Sequence, residues 1–473
     1  MQIARARRNT LGDILTRSAA RYPDKLALVY GQERLTYREF DNRVQQTAQV
    51  LRQDGVKRGT PVAVLSKNSM DFVLLVFATA RLGAVLVPVN YMLTPDEIAY
   101  VLTDAAVVGV ACAPDFVNTL EEALKRAGRG VEMRYEMDQL GAAHPGWQTL
   151  ATRREGTFVG DGSNGDPLDA DVTDDDVAQI LYTSGTESQP KGVMLTHRSL
   201  VAEYVSTVVD GSMTAEDVSI YALPLYHSAQ LNCFLGPSVY LGGTGIILSQ
   251  ASPELILRTV AEVRATLLFC PPTVWIGLLR HPNFHQYDLT SLQKCYYGAA
   301  IMPVEVLKEL SQRLPQARFW NFYGQTEVAP LATILKPEDQ LRKLGSAGKP
   351  GLNVETRIVD AEDHFVPPGT VGEIVHRTPH AMLGYLNQPD KTAAAFRGGW
   401  LHSGDLGVMD EEGYLTVVDR KKDMIKTGGI NVASREVEEF LYQARRKALH
   451  FSAGELRRSP LGECFVLFKS VAD

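Results

Sequence analysis

Residues Leu181–Leu200 read LYTSGTESQPKGVMLTHRSL. An apolar run of strand length, Val177–Tyr182, leads into a loop of Thr, Ser and Gly, and Val193–Thr196 returns to strand-like composition. The loop carries a single lysine, Lys191, between Pro190 and Gly192. Small residues let backbone N–H groups approach a polyanion, hydroxyls add donors and a lysine adds a point charge, so the pattern reads as a phosphate cradle. It is not a Walker loop, which needs Gly-Lys followed by Ser or Thr. Here Gly185 is followed by four residues and then Pro-Lys-Gly. A dinucleotide fingerprint would need a helix to open directly after the glycines, and the sequence gives more strand instead.

The rest of the chain narrows the class. At 473 residues it is too long for one core, and two to four domains or subdomains are expected. A net charge of −7 argues against nucleic acid as a general partner, because phosphate backbones are bound by basic surfaces. The five cysteines are far apart with no CxxC, which fits reduced thiols and gives no metal spacing. The longest apolar run, Phe72–Val89, contains Arg81, Gly83 and Pro88 and reads as a buried helix followed by a strand. The start, MQIARARRNT, is basic but has no apolar segment behind it, so no secretory signal is expected. A cytoplasmic protein with at most peripheral membrane contact is the expectation.

Residues 11–160 alternate helix and strand. Thr36 and Glu39 form a capping box opening a helix over Tyr37–Asp54, with a strand at Pro61–Ser66, a helix at Met70–Leu82 and a strand at Ala84–Pro88. A helix over Thr94–Thr103 and a strand over Val107–Cys112 continue the rhythm, which implies βαβ units around a parallel sheet. Residues 160–176 are acidic and Gly-rich and read as a linker. A second α/β block follows, with strands at Val218–Leu223, Thr244–Leu248 and Thr266–Cys270 and helices at Pro253–Val263 and Pro303–Arg313. From about Ala347 short strands and Gly turns suggest a small barrel-like β unit. The expected fold is thus α/β: two βαβ-type subdomains (about 10–170 and 171–346) and a β unit (347–418), then a short α+β segment over 419–473.

Four further constellations carry chemistry. Asn321–Glu327, NFYGQTE, ends a strand in Tyr-Gly and places a hydroxyl and a carboxylate next to it. A nucleotide needs an aromatic face for its base and a carboxylate for the Mg²⁺ that bridges its phosphates. Trp400–Gly407, WLHSGDLG, puts Asp405 after a flexible Gly404, a turn from which a carboxylate can take both ribose hydroxyls. Asp419–Val432, DRKKDMIKTGGINV, is a basic stretch leading to a Gly pair. Tyr226-His227-Ser228 and Gly298-Ala299-Ala300 follow strands, with Trp275 and Tyr297 near enough in sequence to line an apolar pocket.

Together these motifs resemble those of the adenylate-forming enzymes, and within them the acyl-CoA synthetases, over roughly residues 10–440. The family loop is Tyr-Thr-Ser-Gly-Thr-Thr-Gly-x-Pro-Lys-Gly, and this chain departs from it at Glu187 and Ser188. An acid beside phosphates is unfavourable unless it points to solvent. The resemblance implies an AMP-binding adenylation domain over 10–418 and a C-terminal lid over 419–473. It implies that Thr183, Ser184, Gly185, Thr186, Lys191 and Gly192 cradle the phosphates, and that Thr186 and Glu327 hold Mg²⁺. Gly298, Ala299 and Ala300 would border the adenine, Tyr323 would stack on it within the Asn321–Gly324 turn, and Thr326 would contact the α-phosphate. Asp405 and Arg420 would bind ribose or phosphate, Lys422 would be the lid's hinge, and Lys426, Gly428 and Gly429 would serve the second half-reaction. His227 would stand at the mouth of the acyl pocket.

The activity this implies joins a carboxylic acid, fatty or aryl rather than amino-acid and fatty by first expectation, to coenzyme A through an acyl-adenylate, using ATP and Mg²⁺ and releasing AMP and pyrophosphate. Its partners are small molecules; a homodimer is compatible. After Gln443 the resemblance stops, and the Pro-x-x-x-x-Gly-Lys segment of full family members is missing, so the C-terminus reads as shortened and activity as impaired. Two alternatives stay open: an adenylation-only enzyme loading a carrier protein, and a non-catalytic nucleotide or acyl binder.

Overall fold

The computed structural model describes residues 2–128, 130–138, 143–157, 171–183 and 189–420. Of the remainder it describes only the backbone of Ile425–Thr427, Ile430–Val432, Arg457–Arg458 and Cys464–Phe465. Two large sheets dominate. The first has eight strands in the order Gly384–Tyr385, Lys191–Thr196, Val177–Thr183, Val85–Val89, Pro61–Leu65, Gly109–Cys112, Met133–Glu136 and Gln148–Thr149. From Val177–Thr183 to Gln148–Thr149 the pairs are parallel, while Lys191–Thr196 and Gly384–Tyr385 add an antiparallel edge. Strands such as Val85–Val89 are buried along their whole length, as both faces of a parallel sheet require.

The second sheet has nine strands, with Leu267–Phe269, Lys294–Gly298 and Arg318–Gly324 parallel at its centre and Leu331–Leu335 antiparallel beyond them. The expected elements form close to their expected ends, including Met70–Leu82 and Pro253–Val263. The capping box at Thr36 is present, each partner accepting from the other's backbone N–H. Partnership between strands follows a different logic from sequence order. Leu26–Tyr30 and Glu33–Thr36 leave the N-terminal block and join the second sheet, Leu28 pairing in parallel with Gly245. The hairpin Val177–Thr196 crosses the other way into the first sheet. The two sheets therefore exchange strands across the linker region near residue 170.

The helix Met70–Leu82 is buried throughout. Its two charges are matched inside the protein, Asp71 by Arg154 and Arg81 by Asp41 and Gln45. Among the described residues no helix is long and apolar enough to cross a membrane. The β unit is a five-stranded antiparallel sheet built on Glu355–Val359, Gly372–Arg377 and Trp400–Met409, with Phe396–Arg397 and Leu415–Arg420 at Trp400–Met409. The four described cysteines are free and buried. Most of the expected linker, and most of 419–473, lie outside the described residues.

Candidate active site

The carboxyl ends of the central strands of the second sheet open onto one cavity of about 870 Å³. Ligands of open α/β sheets bind at that edge, and here the hairpin from the first sheet and the turn before Asp405 close over it.

The hairpin expected to cradle phosphates pairs Thr183 with Lys191 and Tyr182 with Gly192, so the two ends of the intervening loop stand side by side. Thr183 and Lys191 line the cavity. Ser184, Gly185 and Thr186 lie outside the described residues. Gly192 does not face the cavity. A Cβ there would lie 3.1 Å from both Ile180 Cγ2 and the Tyr182 ring and 3.3 Å from Leu386 Cβ, so glycine lets three chain segments close up behind Lys191. The Lys191 ammonium sits 4.7 Å from the centre of the Tyr385 ring, within cation–π range.

Strand Arg318–Gly324 delivers the second group. A Cβ on Gly324 would lie 1.9 Å from the Pro330 carbonyl, so only glycine permits the fold-back that brings Thr326 and Glu327 to the cavity wall. Tyr323 lines the same wall and donates its hydroxyl hydrogen bond to Asp405 Oδ2 at 2.7 Å. Thr326 Oγ1 and Ser228 Oγ are 3.1 Å apart. Tyr385 donates to Glu327 Oε1 at 2.9 Å, and the buried phenol is pushed well above its usual pKa by desolvation and by that carboxylate. Asn321 instead donates to the Ser346 carbonyl at 3.0 Å and supports the strand. Gly298 lets its strand approach Phe322, Ala299 lines the cavity with φ of 62°, and Ala300 is exposed outside it.

Asp405 is set by its own turn. Its N–H donates to Ser403 Oγ at 3.0 Å, Ser403 donates to the Ile374 carbonyl at 2.6 Å, and Gly404 adopts φ of 74°. The Gly404 N–H reaches Glu373 Oε1 at 3.3 Å. Behind it Glu373 also meets Arg397 and His402, so His402 is buried away from the cavity while Glu373 borders it. Arg420 stands opposite Asp405 in the ladder, and Lys426 opposite Asn431 in a two-stranded piece. The side chains of both, and all of Lys422, Gly428 and Gly429, lie outside the described residues.

The other end of the cavity is apolar. His227 opens a helical segment whose Ala229–Leu235 part is a π-helix, a wide turn often found at functional sites. Its ring faces the cavity and rests 4.4 Å from the Tyr226 ring, and the surrounding protein pushes its pKa below the usual imidazole value. The π-helix presents Cys233 and Phe234 to the cavity. Phe234 stacks on Phe269 at 4.4 Å and 15° and on Phe322 at 5.9 Å and 17°. These three phenylalanines form the apolar wall, which sequence reasoning did not find. Trp275 and Tyr297 do not line it: Trp275 donates to the Tyr296 carbonyl and Tyr297 to Gln340 Oε1, both within the core on the sheet's other side.

The polar end fits Mg²⁺ only as part of a nucleotide complex. Among the described residues no three His, Cys, Asp or Glu side chains cluster as a protein-only metal cage. Of the three carboxylates bordering the cavity, Glu327, Glu373 and Asp405, a single one such as Glu327 together with substrate phosphates and water would make the set Mg²⁺ takes in nucleotide sites.

An α/β scaffold with a phosphate hairpin, an aromatic–carboxylate turn and an apolar pocket on one cavity defines the adenylate-forming class. The chain belongs to the AMP-binding enzyme family, whose model matches residues 15–386. It is 35% identical over 436 residues to a feruloyl-CoA synthase of Amycolatopsis, covering 92% of this chain and 84% of that one. A long-chain-fatty-acid–CoA ligase of Escherichia coli is 33% identical, covering 92% and 81%. The crystal structure of an anthranilate CoA ligase with anthranoyl-AMP superposes with a TM-score of 0.85 at 25% identity, covering 92% of this chain and 82% of that one. The chain is thus an adenylate-forming enzyme of the acid–CoA ligase kind.

Proposed function

We propose that this chain activates a hydrophobic carboxylic acid, fatty or aryl, with ATP and passes the acyl group to coenzyme A. The observation that carries the reading is one cavity. Thr183, Lys191, Tyr323, Thr326, Glu327 and Asp405 border it at one end and Phe234, Phe269 and Phe322 at the other. The substrate carboxylate attacks the α-phosphorus of ATP, pyrophosphate leaves, and the thiol of coenzyme A then displaces AMP from the acyl-adenylate.

Tyr323 offers a ring face to adenine while its hydroxyl holds Asp405 toward the ribose. Lys191, with Thr183 and the loop that follows, neutralises the phosphates as a point charge. Thr326, oriented by Ser228, donates to the α-phosphate. Glu327 and Thr186 would hold Mg²⁺, which would supply charge neutralisation for the leaving pyrophosphate. His227, neutral at pH 7 because its pKa is lowered, lets the acid pass without a fixed charge in its way. The family resemblance assigns Arg420 to the ribose or phosphate, Lys422 to the hinge, and Lys426 with Gly428 and Gly429 to thioester formation.

The acid is a fatty or aryl acid rather than an amino acid. The carboxylates bordering the cavity, Glu327, Glu373 and Asp405, all sit at the nucleotide end, so no described residue beside the phenylalanines is built to hold a substrate ammonium. The stacked rings suit a planar acid as well as an alkyl chain. The names of the relatives span feruloyl and long-chain fatty acids. The test is ATP–pyrophosphate exchange with a panel of fatty, cinnamic, benzoic and amino acids, followed by coenzyme A-dependent AMP release. Exchange without thioester would instead identify an adenylation-only enzyme, and no exchange with any acid refutes the catalytic reading.

A further inference from the structure

Tyr385 touches both Lys191 and Glu327, the proposed phosphate lysine and metal carboxylate. Its ring lies under the Lys191 ammonium at 4.7 Å, and its hydroxyl donates to Glu327 Oε1 at 2.9 Å. The chain around it is held from both sides. The Met382 N–H donates to the Glu327 carbonyl at 2.9 Å, the Leu383 N–H to Met194 and the Leu386 N–H to Gly192. Gly384–Tyr385 pairs with Val193–Met194, two residues beyond Lys191. Segment 382–386 therefore ties the phosphate strand of one sheet to the metal-binding turn of the other, and Tyr385 is the side chain through which the tie reaches the charged groups. The ring is buried, 8% exposed, so its hydroxyl has little freedom to turn away.

We propose that Tyr385 is a positioning residue that couples metal binding to phosphate binding in adenylation. The hydroxyl fixes one oxygen of Glu327, so that the other would be the one to hold Mg²⁺. The ring face keeps the flexible lysine extended before ATP arrives, so its ordering cost is not charged to binding. The proposal rests on Glu327 being the metal carboxylate and Lys191 the phosphate lysine.

The test measures ATP binding by calorimetry, with Mg²⁺ titrated from none to saturation, for the wild type and for Tyr385→Phe, Tyr385→Leu and Glu327→Gln. Tyr385→Phe keeps the ring and its packing and loses only the hydrogen bond to a charged group. The half-saturating Mg²⁺ concentration should rise about tenfold while metal-free ATP affinity changes less than about twofold. Tyr385→Leu loses the ring as well, and metal-free ATP affinity should fall a further threefold or so. A wild-type Mg²⁺ midpoint in folded Tyr385→Phe overturns the proposal, as does equal loss of metal-free and metal-dependent binding. Leucine matching phenylalanine in metal-free binding removes the lysine half of the coupling. The control separates the two readings. If Glu327→Gln keeps the wild-type Mg²⁺ midpoint, the metal role of Glu327 is wrong. If Glu327→Gln shifts it and Tyr385→Phe does not, only the role of Tyr385 fails.

Discussion

Gly192→Ala is expected to slow adenylation without touching any substrate. The added Cβ would stand 3.1 Å from Ile180 Cγ2, 3.1 Å from the Tyr182 ring and 3.3 Å from Leu386 Cβ. Comfortable carbon–carbon contact begins near about 3.5 Å, so the three neighbours must give way by a few tenths of an ångström. None can rotate clear. Ile180 is buried, Tyr182 is tethered through its hydroxyl to Asp104 at 2.7 Å, and Leu386 is bonded through its N–H to the Gly192 carbonyl itself. Overpacking of this kind costs about 1–3 kcal/mol of stability. The functional cost comes from where the strain goes. Lys191 precedes the substituted residue and Tyr385 precedes Leu386, so the shift is delivered to the lysine and to the partner of Glu327. A misplacement of about 1 Å at a reacting centre costs roughly a hundredfold in rate, and a third to a half of that displacement scales to about five- to tenfold. The assay is pyrophosphate exchange at saturating acid with ATP varied, beside a urea unfolding curve. The exchange rate should fall about five- to tenfold while the KM for the acid holds, since the phenylalanine wall is remote from the change. A variant that is destabilised as expected yet exchanges at the wild-type rate would show that the packing behind the lysine does not set its position.

Three other outcomes follow from named contacts. Lys191→Ala should weaken ATP and pyrophosphate binding by about tenfold or more while AMP affinity holds within about twofold, because a point charge serves the distal phosphates and not the base; equal losses for ATP and AMP would remove the assignment. Tyr297→Ala should lower stability by about 3–5 kcal/mol in urea unfolding and leave the ranking of acids unchanged, because the side chain packs in the core against Gln340 and not on the cavity; an altered acid profile would place the acyl pocket elsewhere. His376 is fully buried with Nε2 unpartnered, and burial lowers its pKa to about 4. Between its unfolded value of 6.5 and about 4 the unfolded chain binds the extra proton, so this residue's contribution is intact above pH 6.5 and is lost as pH falls below it. The stability gap between wild type and His376→Gln should therefore narrow by about 2 kcal/mol between about pH 7.5 and pH 5, measured as urea midpoints; a gap independent of pH refutes the neutral buried imidazole.

What the sequence made legible is what sits within a few residues of a turn. The hairpin around Lys191, the Gly324 fold-back that presents Glu327 and the Gly404 turn before Asp405 each depend on a glycine within three residues of the working side chain, and each reaches the cavity or frames it. Tyr385, Glu373 and the phenylalanine wall depend on contacts across tens to hundreds of positions, and no local pattern marks them. The misplacement of Tyr297 has a sharper cause. Strand Lys294–Gly298 runs Lys-Cys-Tyr-Tyr-Gly, and successive strand residues face opposite sides. Tyr296 packs with Trp320 and Phe322, the side on which Phe234 and the cavity lie, and donates its hydroxyl to the Gly211 carbonyl. Tyr297 faces the opposite core. In a parallel strand covered on both sides every position is apolar, so alternation, the signal that orients a half-exposed strand, is absent. Two adjacent tyrosines then carry no mark of which one looks toward the substrate. That parity is set by the register with the neighbouring strand, where Gly298 pairs with Phe322 and Tyr297 with Asn321. The residues proposed to choose among acids are therefore placed by sheet pairing, whereas those proposed to hold the nucleotide are placed by turns, which is why the polar end of the cavity was legible in the chain and its apolar wall was not.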